Sequence, residues 1–225
     1  MPVLTGLDVL AADNCQSLLS QRVGVITNHT AITRDRRHII DVLLKAGVEV
    51  VALFGPEHGI RGDHDEGERV SSGVDPKTRL QVHSLFGSEL RPHPETLASI
   101  DTLVFDIADV GARYYTYTTT MAYCMEEASW LDIRFVVLDR PNPITGTAVD
   151  GPVMEPAFQD LVAYHPIPTR HGLTPGELAN ARDQSQHRFP REGEGALLRP
   201  MVRIPVPEYD VVVLVGAGSP LPYLP

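Results

Sequence analysis

The sequence predicts an α/β fold built on a doubly wound, mostly parallel sheet. Short and nearly continuous apolar runs recur at 22–27 (RVGVIT), 48–54 (VEVVALF), 102–107 (TLVFDI) and 134–138 (RFVVL), as strands covered on both faces do. Segments with helical apolar spacing lie between them. The residues that leave the strands change abruptly in character, being rich in Gly, Pro, His, Asp, Glu and Arg.

Taken in order, 22–27 is a β-branched strand, and 34–46 carries Ile39, Ile40, Leu43 and Leu44 on one helix face. Gly47 follows as a helix stop and 48–54 as the next strand, completing a βαβ unit. A second unit comprises strand 102–107, a helix over 119–130 and strand 134–138. Thr174-Pro175-Gly176-Glu177 reads as a helix start, with Thr174 as N-cap, Pro175 at the first helical position and Glu177 as the capping-box partner. That helix is expected to run to about Ser185. Beyond it, 186–195 is polar and loop-like, 197–206 and 210–215 read as strands, and 216–222 is turn material.

At 225 residues and 43% hydrophobic content the chain can bury one substantial core, so one main domain is expected. Nineteen Lys and Arg against 29 Asp and Glu give a formal charge of -10, which disfavours a groove tracking phosphates and so a nucleic-acid partner. Cys15 and Cys124 have no metal-type spacing and read as buried apolar residues. No segment approaches the roughly 18 unbroken apolar residues of a membrane span. The first residues, Met1-Pro2-Val3-Leu4-Thr5-Gly6, lack the basic and apolar regions of a secretory signal. As written the chain is therefore expected to be soluble and cytoplasmic, or exported if its N-terminus was trimmed.

Ligands of open α/β sheets bind beyond the carboxyl ends of the strands, so the polar segments there are the candidate site. Glu57 lies in Gly55-Pro56-Glu57-His58-Gly59 after the second strand. A carboxyl group held there over a pocket and partly desolvated suits a proton donor to a leaving oxygen. Its other reading is a turn cap or an ion pair with Arg61. His58, Asp63, His64, Asp65 and Glu66 invite a metal reading by residue type, although the helical H-x-x-x-H spacing is missing. Asp106 and Asp109 stand at the next strand end, followed by Arg113, Tyr114, Tyr115 and Tyr117. Carboxylates accept from sugar hydroxyls, aromatic faces stack on pyranose rings, and an arginine can fork a carboxylate. Alternatively Asp106 pairs with Arg113 inside the protein. Asp139-Arg140-Pro141-Asn142-Pro143 is a strand end stiffened by two prolines, and Arg170-His171-Gly172 precedes the capped helix. Three common signatures are missing: the G-x-x-x-x-G-K-[ST] phosphate cradle, a G-x-G-x-x-G after the first strand, and the G-x-S-x-G nucleophile elbow.

Four blocks, Gly55 to Gly62 (GPEHGIRG), Asp109 to Tyr117 (DVGARYYTY), Leu138 to Pro143 (LDRPNP) and Arg170 to Leu178 (RHGLTPGEL), resemble in content and order the bacterial exo-β-N-acetylmuramidase family. Gly6-Leu7-Asp8, Thr27-Asn28-His29-Thr30 and Asp75-Pro76-Lys77-Thr78 extend the likeness over residues 6–185. The resemblance implies a Rossmann-like catalytic domain, here 1–190, then a divergent tail at 191–225 where the family continues into a smaller C-terminal domain. It also implies an exo-acting glycosidase that releases N-acetylmuramic acid from the non-reducing ends of peptidoglycan fragments, without cofactor or obligatory metal. Glu57 takes the place of the presumed catalytic glutamate, with Asp106 or Asp109 as the second carboxylate. The substrate is expected to meet Asn28, His58, Arg61, Arg113, Tyr115, Tyr117, Asp139, Arg140, Asn142 and His171, with Arg113, Arg140 and His171 gripping the lactyl carboxylate. Ala108 stands where the family usually has glutamine, and Ser219-Pro220-Leu221-Pro222 where Ser-Pro-Asn is expected. Two alternatives stand beside this reading: a non-catalytic muropeptide-binding fragment, and a metal-dependent hydrolase using His58, Asp63 and His64.

Overall fold

The structure, a computed structural model, describes residues 3–183 and 211–214. Within them the chain runs α1 (Gly6–Ala12), β1 (Arg22–Thr27), α2 (Ile39–Ala46), β2 (Glu49–Gly55), β3 (Gly73–Val74), β4 (Gln81–Ser84), α3 (Pro94–Leu97), β5 (Thr102–Asp106), α4 (Tyr117–Trp130), β6 (Arg134–Leu138), β7 (Asp150–Val153), β8 (Pro168–Arg170), α5 (Pro175–Asp183) and β9 (Val211–Leu214). Seven strands form one sheet in the order β3-β4-β2-β1-β5-β6-β9. Every pairing in it is parallel except β3 with β4, as the apolar runs predict.

Alternation along the strands divides the core into two layers. Val23 and Val25 of β1, Val104 of β5 and Val136 of β6 pack with Leu7, Leu10, Ile39, Ile40 and Leu43 of α1 and α2. Ile26, Phe54, Phe105 and Val137 turn the other way, toward Met121, Cys124 and Met125 of α4 and Leu178 and Ala179 of α5. Both cysteines are free and buried, in keeping with the apolar reading.

One helix boundary differs from expectation for a local reason. Helix α2 begins at Ile39 rather than near residue 34, because Ile32 and His38 form a bridge across a turn that Thr33 and Arg37 close by hydrogen bonds. Gly47 does stop it, in the left-handed conformation with φ 82°. Helix α5 starts as expected: Thr174 Oγ1 accepts from Glu177 N at 3.1 Å, and Thr174 N donates to Glu177 Oε2 at 2.9 Å. Such a box contributes about 1 kcal/mol. Of the tail, 211–214 is seen beside β6 in the main sheet, whereas the expected loop 186–195, strand 197–206 and turn 216–222 lie outside the described residues. Strands β7 and β8 form a separate two-stranded ribbon, which the sequence does not announce. Among the described residues no helix is long and apolar enough to cross a membrane.

Candidate functional site

From β1 the chain passes to β2 on one side and later returns to β5 on the other. The switch of direction therefore falls between β1 and β5, where ligands of such sheets bind. Asn28 follows β1, Pro56 and Glu57 follow β2, Asp109 follows β5 and Asp139 follows β6, so the polar loops gather at one edge of the sheet.

Glu57 is half-buried, and each of its oxygens is held by a different loop. Gly67 N donates to Oε1 at 3.0 Å, and Thr116 Oγ1, just ahead of α4, donates to Oε2 at 2.7 Å. The alternative pairing with Arg61 does not occur, since Arg61 is bound to Asp75 by two contacts of 3.0 and 2.8 Å. Gly62, at φ 70°, lets the Glu57 loop lie close against the β1 loop, because a Cβ there would stand 2.3 Å from His29 Nδ1.

Beside Glu57 lies a second group of side chains whose hydrogen-bonding capacity is only partly used. Asn28 is fully buried; its Oδ1 accepts from Thr30 N and Oγ1 at 2.9 and 2.6 Å, while its Nδ2 has no hydrogen bond of normal geometry among the described residues. Thr30 N and Oγ1 thereby fix the β1 turn, and Ala108 N donates to Thr30 Oγ1 at 3.0 Å, tying it to the β5 loop. Asp109 Oδ2 accepts from Gly111 N at 2.8 Å, but Oδ1 is buried without a partner among the described residues. Burial pushes the Asp109 carboxyl above its ordinary pKa, partly offset by the Gly111 amide and by His171. The Tyr117 hydroxyl is raised by burial, eased by the Asn28 amide and raised further by the charges of Glu57 and Asp109. Asn28, Glu57, Asp109 and Tyr117 thus share one neighbourhood.

Several expected site residues instead hold the fold together. Asp106 is 0% exposed, and both its oxygens receive Arg140, Nε to Oδ1 at 2.6 Å and Nη2 to Oδ2 at 3.1 Å. Arg140 also donates to Ile32 O, so two side chains expected to meet substrate are engaged with each other and with the backbone, and the ion pair braces the ends of β5 and β6. Its partner is Arg140, not Arg113. Asp139 spends its carboxylate on Thr174 Oγ1 and Gly176 N at the start of α5, at 2.9 and 2.8 Å. Asn142 donates to Leu173 O and accepts from Ile144 and Thr145 amides, and Gly111 is required beside it, where a Cβ would come within 2.2 Å of Oδ1. Arg113 Nη1 donates to the Pro152 and Ile167 carbonyls, binding the ribbon rather than presenting a fork. His171 is 4% exposed, and its Nε2 faces the Asp109 carboxylate at 3.8 Å.

His58 Nδ1 donates to His64 O, whereas the His64 ring faces Asp63 and Glu68, so His58, Asp63 and His64 are not gathered as ligands. Among the described residues no group of three or more His, Cys, Asp or Glu is placed to hold a metal ion. Tyr115 is exposed and stacks on Tyr114 with ring centroids 5.5 Å apart. Thr116, Thr30 and Gly67 escaped the sequence reading. A hydroxyl just before a helix suggests a cap, and nothing in its spacing connects Thr116 with a glutamate 59 residues earlier.

These features define a Rossmann-like α/β domain with a carboxylate site at the switch point of its sheet. The chain belongs to the family described as exo-beta-N-acetylmuramidase NamZ, N-terminal, whose model matches residues 23–198. It is 46% identical over 179 residues to the peptidoglycan beta-N-acetylmuramidase NamZ of Bacillus subtilis, covering 79% of this chain and 43% of that protein. Two crystal structures of DUF1343 family proteins from Bacteroides fragilis share the fold. One superposes with a TM-score of 0.81 at 38% identity, covering 96% of this chain and 50% of that one. For the other the values are 0.77, 32%, 97% and 53%. The chain thus spans about half the length of these relatives.

Proposed function

We propose that this chain carries the reacting site of an exo-acting glycoside hydrolase that releases N-acetylmuramic acid from the non-reducing ends of peptidoglycan fragments. Glu57 is the general acid, giving its proton to the glycosidic oxygen as the bond to the sugar breaks. The observation that carries this reading is the suspension of Glu57 between Gly67 and Thr116 beside the switch point, which holds one carboxyl group between two loops far apart in the sequence. Positive charge develops on the sugar ring as the bond breaks, water adds at the anomeric carbon, and the second carboxylate that balances the charge or takes the proton of that water is Asp109, because both oxygens of Asp106 are bound by Arg140. Asn28, His58, Tyr115 and Tyr117 remain as the contacts for a muropeptide or disaccharide, and exposed Tyr115 offers a face for a pyranose ring. The family membership and the activity named for the Bacillus subtilis relative support the substrate class.

The test is incubation of the chain with the disaccharide of N-acetylmuramic acid and N-acetylglucosamine, read by mass spectrometry with and without chelator. Free N-acetylmuramic acid at the same rate in both is expected. Saturable binding without product would make the chain a muropeptide-binding module instead. Loss of product in chelator would favour the metal-dependent hydrolase.

A further inference from the structure

His171 and Asp109 approach each other across the seam between the main sheet and the β7–β8 ribbon. Asp109 belongs to the loop after β5, and His171 directly follows β8. The seam is clipped shut by Arg113 N donating to Thr169 O at 2.9 Å, by a bridge between Ala112 and Arg170, and by Arg113 Nη1 on the Pro152 and Ile167 carbonyls.

The tautomer of His171 follows from its neighbours. Leu173 N donates to Nδ1 at 3.1 Å, so in the neutral ring the proton sits on Nε2. Nε2 lies 3.8 Å from Asp109 Oδ2, inside ion-pair range but beyond a hydrogen bond. His171 Nε2 and Asp109 Oδ1 are both buried without a hydrogen-bond partner among the described residues. A buried donor left unused beside a buried carboxylate is costly. A shift of about 1 Å at the seam would bring the two within hydrogen-bond distance. Contacts of this kind are commonly long in an empty site and tighten around the reacting complex.

We propose that His171 is a positioning residue for the second carboxylate, closing an Nε2–H hydrogen bond onto Asp109 when substrate is bound. The assignment rests on the glycosidase reading and specifies how its second carboxylate is aimed and kept charged. The groups acting on Asp109 are His171 from the ribbon side, the Gly111 and Val110 amides of its own loop, and the Tyr117 hydroxyl of α4. Of the side chains among them, His171 is the one whose donor stands 3.8 Å from Asp109 Oδ2 across the seam.

The test compares His171→Phe, which removes the donor, with His171→Gln, which keeps one. In the Phe variant kcat is expected to fall at least tenfold with KM little changed, and the Gln variant to recover most of it. Phe at 171 added to Asp109→Asn should cost nothing further, because His171 acts only through Asp109. With N-acetylmuramic acid bound, the state in which the hydrogen bond is closed, the carbon-13 titration of the Asp109 carboxyl should move up by about one pH unit in His171→Phe. An unmoved titration, or losses that add in the double variant, would overturn the assignment while leaving the glycosidase reading intact. A Glu57→Gln variant of undiminished rate would instead remove the reading on which the assignment rests.

Discussion

Two polar clusters stand a few residues apart at the same edge of the sheet and are built on opposite plans. In the Asp106–Arg140 pair both carboxylate oxygens are matched by guanidinium nitrogens, and the side chains are almost sealed from solvent, at 0% and 9% exposed. In the loops beside Glu57, by contrast, Asn28 Nδ2, Asp109 Oδ1 and, facing Asp109, His171 Nε2 make no hydrogen bond of normal geometry among the described residues. The difference teaches that a charged residue at a strand end is not evidence of chemistry by itself. A closed pair has nothing left to offer a substrate, whereas a carboxylate with an unmatched oxygen at the same strand ends still has acceptor capacity.

The sharpest way to break this contrast is to remove one half of the closed pair. Arg140→Ala strands Asp106 as an unpaired buried carboxylate and is expected to destabilise the fold by about 3–5 kcal/mol in urea titrations. Asp106→Asn in the same background should restore part of that loss. An Arg140→Ala protein of normal stability but with impaired turnover would move the pair from brace to site.

A smaller effect distinguishes one closed pair from another. Burial opposes ionisation of Asp75, yet Arg61 and Thr78 outweigh it and hold the carboxyl at about 2, below its ordinary 3.8. Its stabilisation is therefore present above about pH 4 and disappears as the pH falls toward 2. Asp106 behaves in the opposite sense. Burial, only partly offset by Arg140, pushes it up to about 6, so its share of stability is greatest below pH 4 and declines as the pH rises through 6. Melting curves from pH 2 to 7 should show Arg61→Gln flattening the acid limb and Asp106→Asn flattening the change between 4 and 6. The same limb flattened by both variants would mean that the two carboxylates do not titrate separately.

Much of the scaffold was legible because its signals are local. The buried strands show as apolar runs, Gly47 as a helix stop, and Thr174 with Glu177 as a capping box. The β7–β8 ribbon was not legible, since Pro152 and Pro168 lie within it and proline ordinarily argues against a strand. At the site, Glu57 and Asp109 stood out by following strands, but their partners did not. Asp106 did carry a usable signal, as an ionisable residue inside a strand buried on both faces must be paired. Which arginine pairs with it is a tertiary fact, and Arg113, nearer in sequence, was the wrong one. Thr116 is invisible for the same reason, because the contact that matters joins two loops brought together only by strand order.

Glu57→Gln tests the open cluster most directly when stability and turnover are measured on the same sample. The amide oxygen of the new side chain can accept from Gly67 N, and the Thr116 hydroxyl can turn to accept from the amide NH2, so stability should change by no more than about 1 kcal/mol. Release of N-acetylmuramic acid should fall by roughly 100-fold or more. A variant that keeps its rate but loses its fold would show Glu57 to be another brace, and the account would fail there.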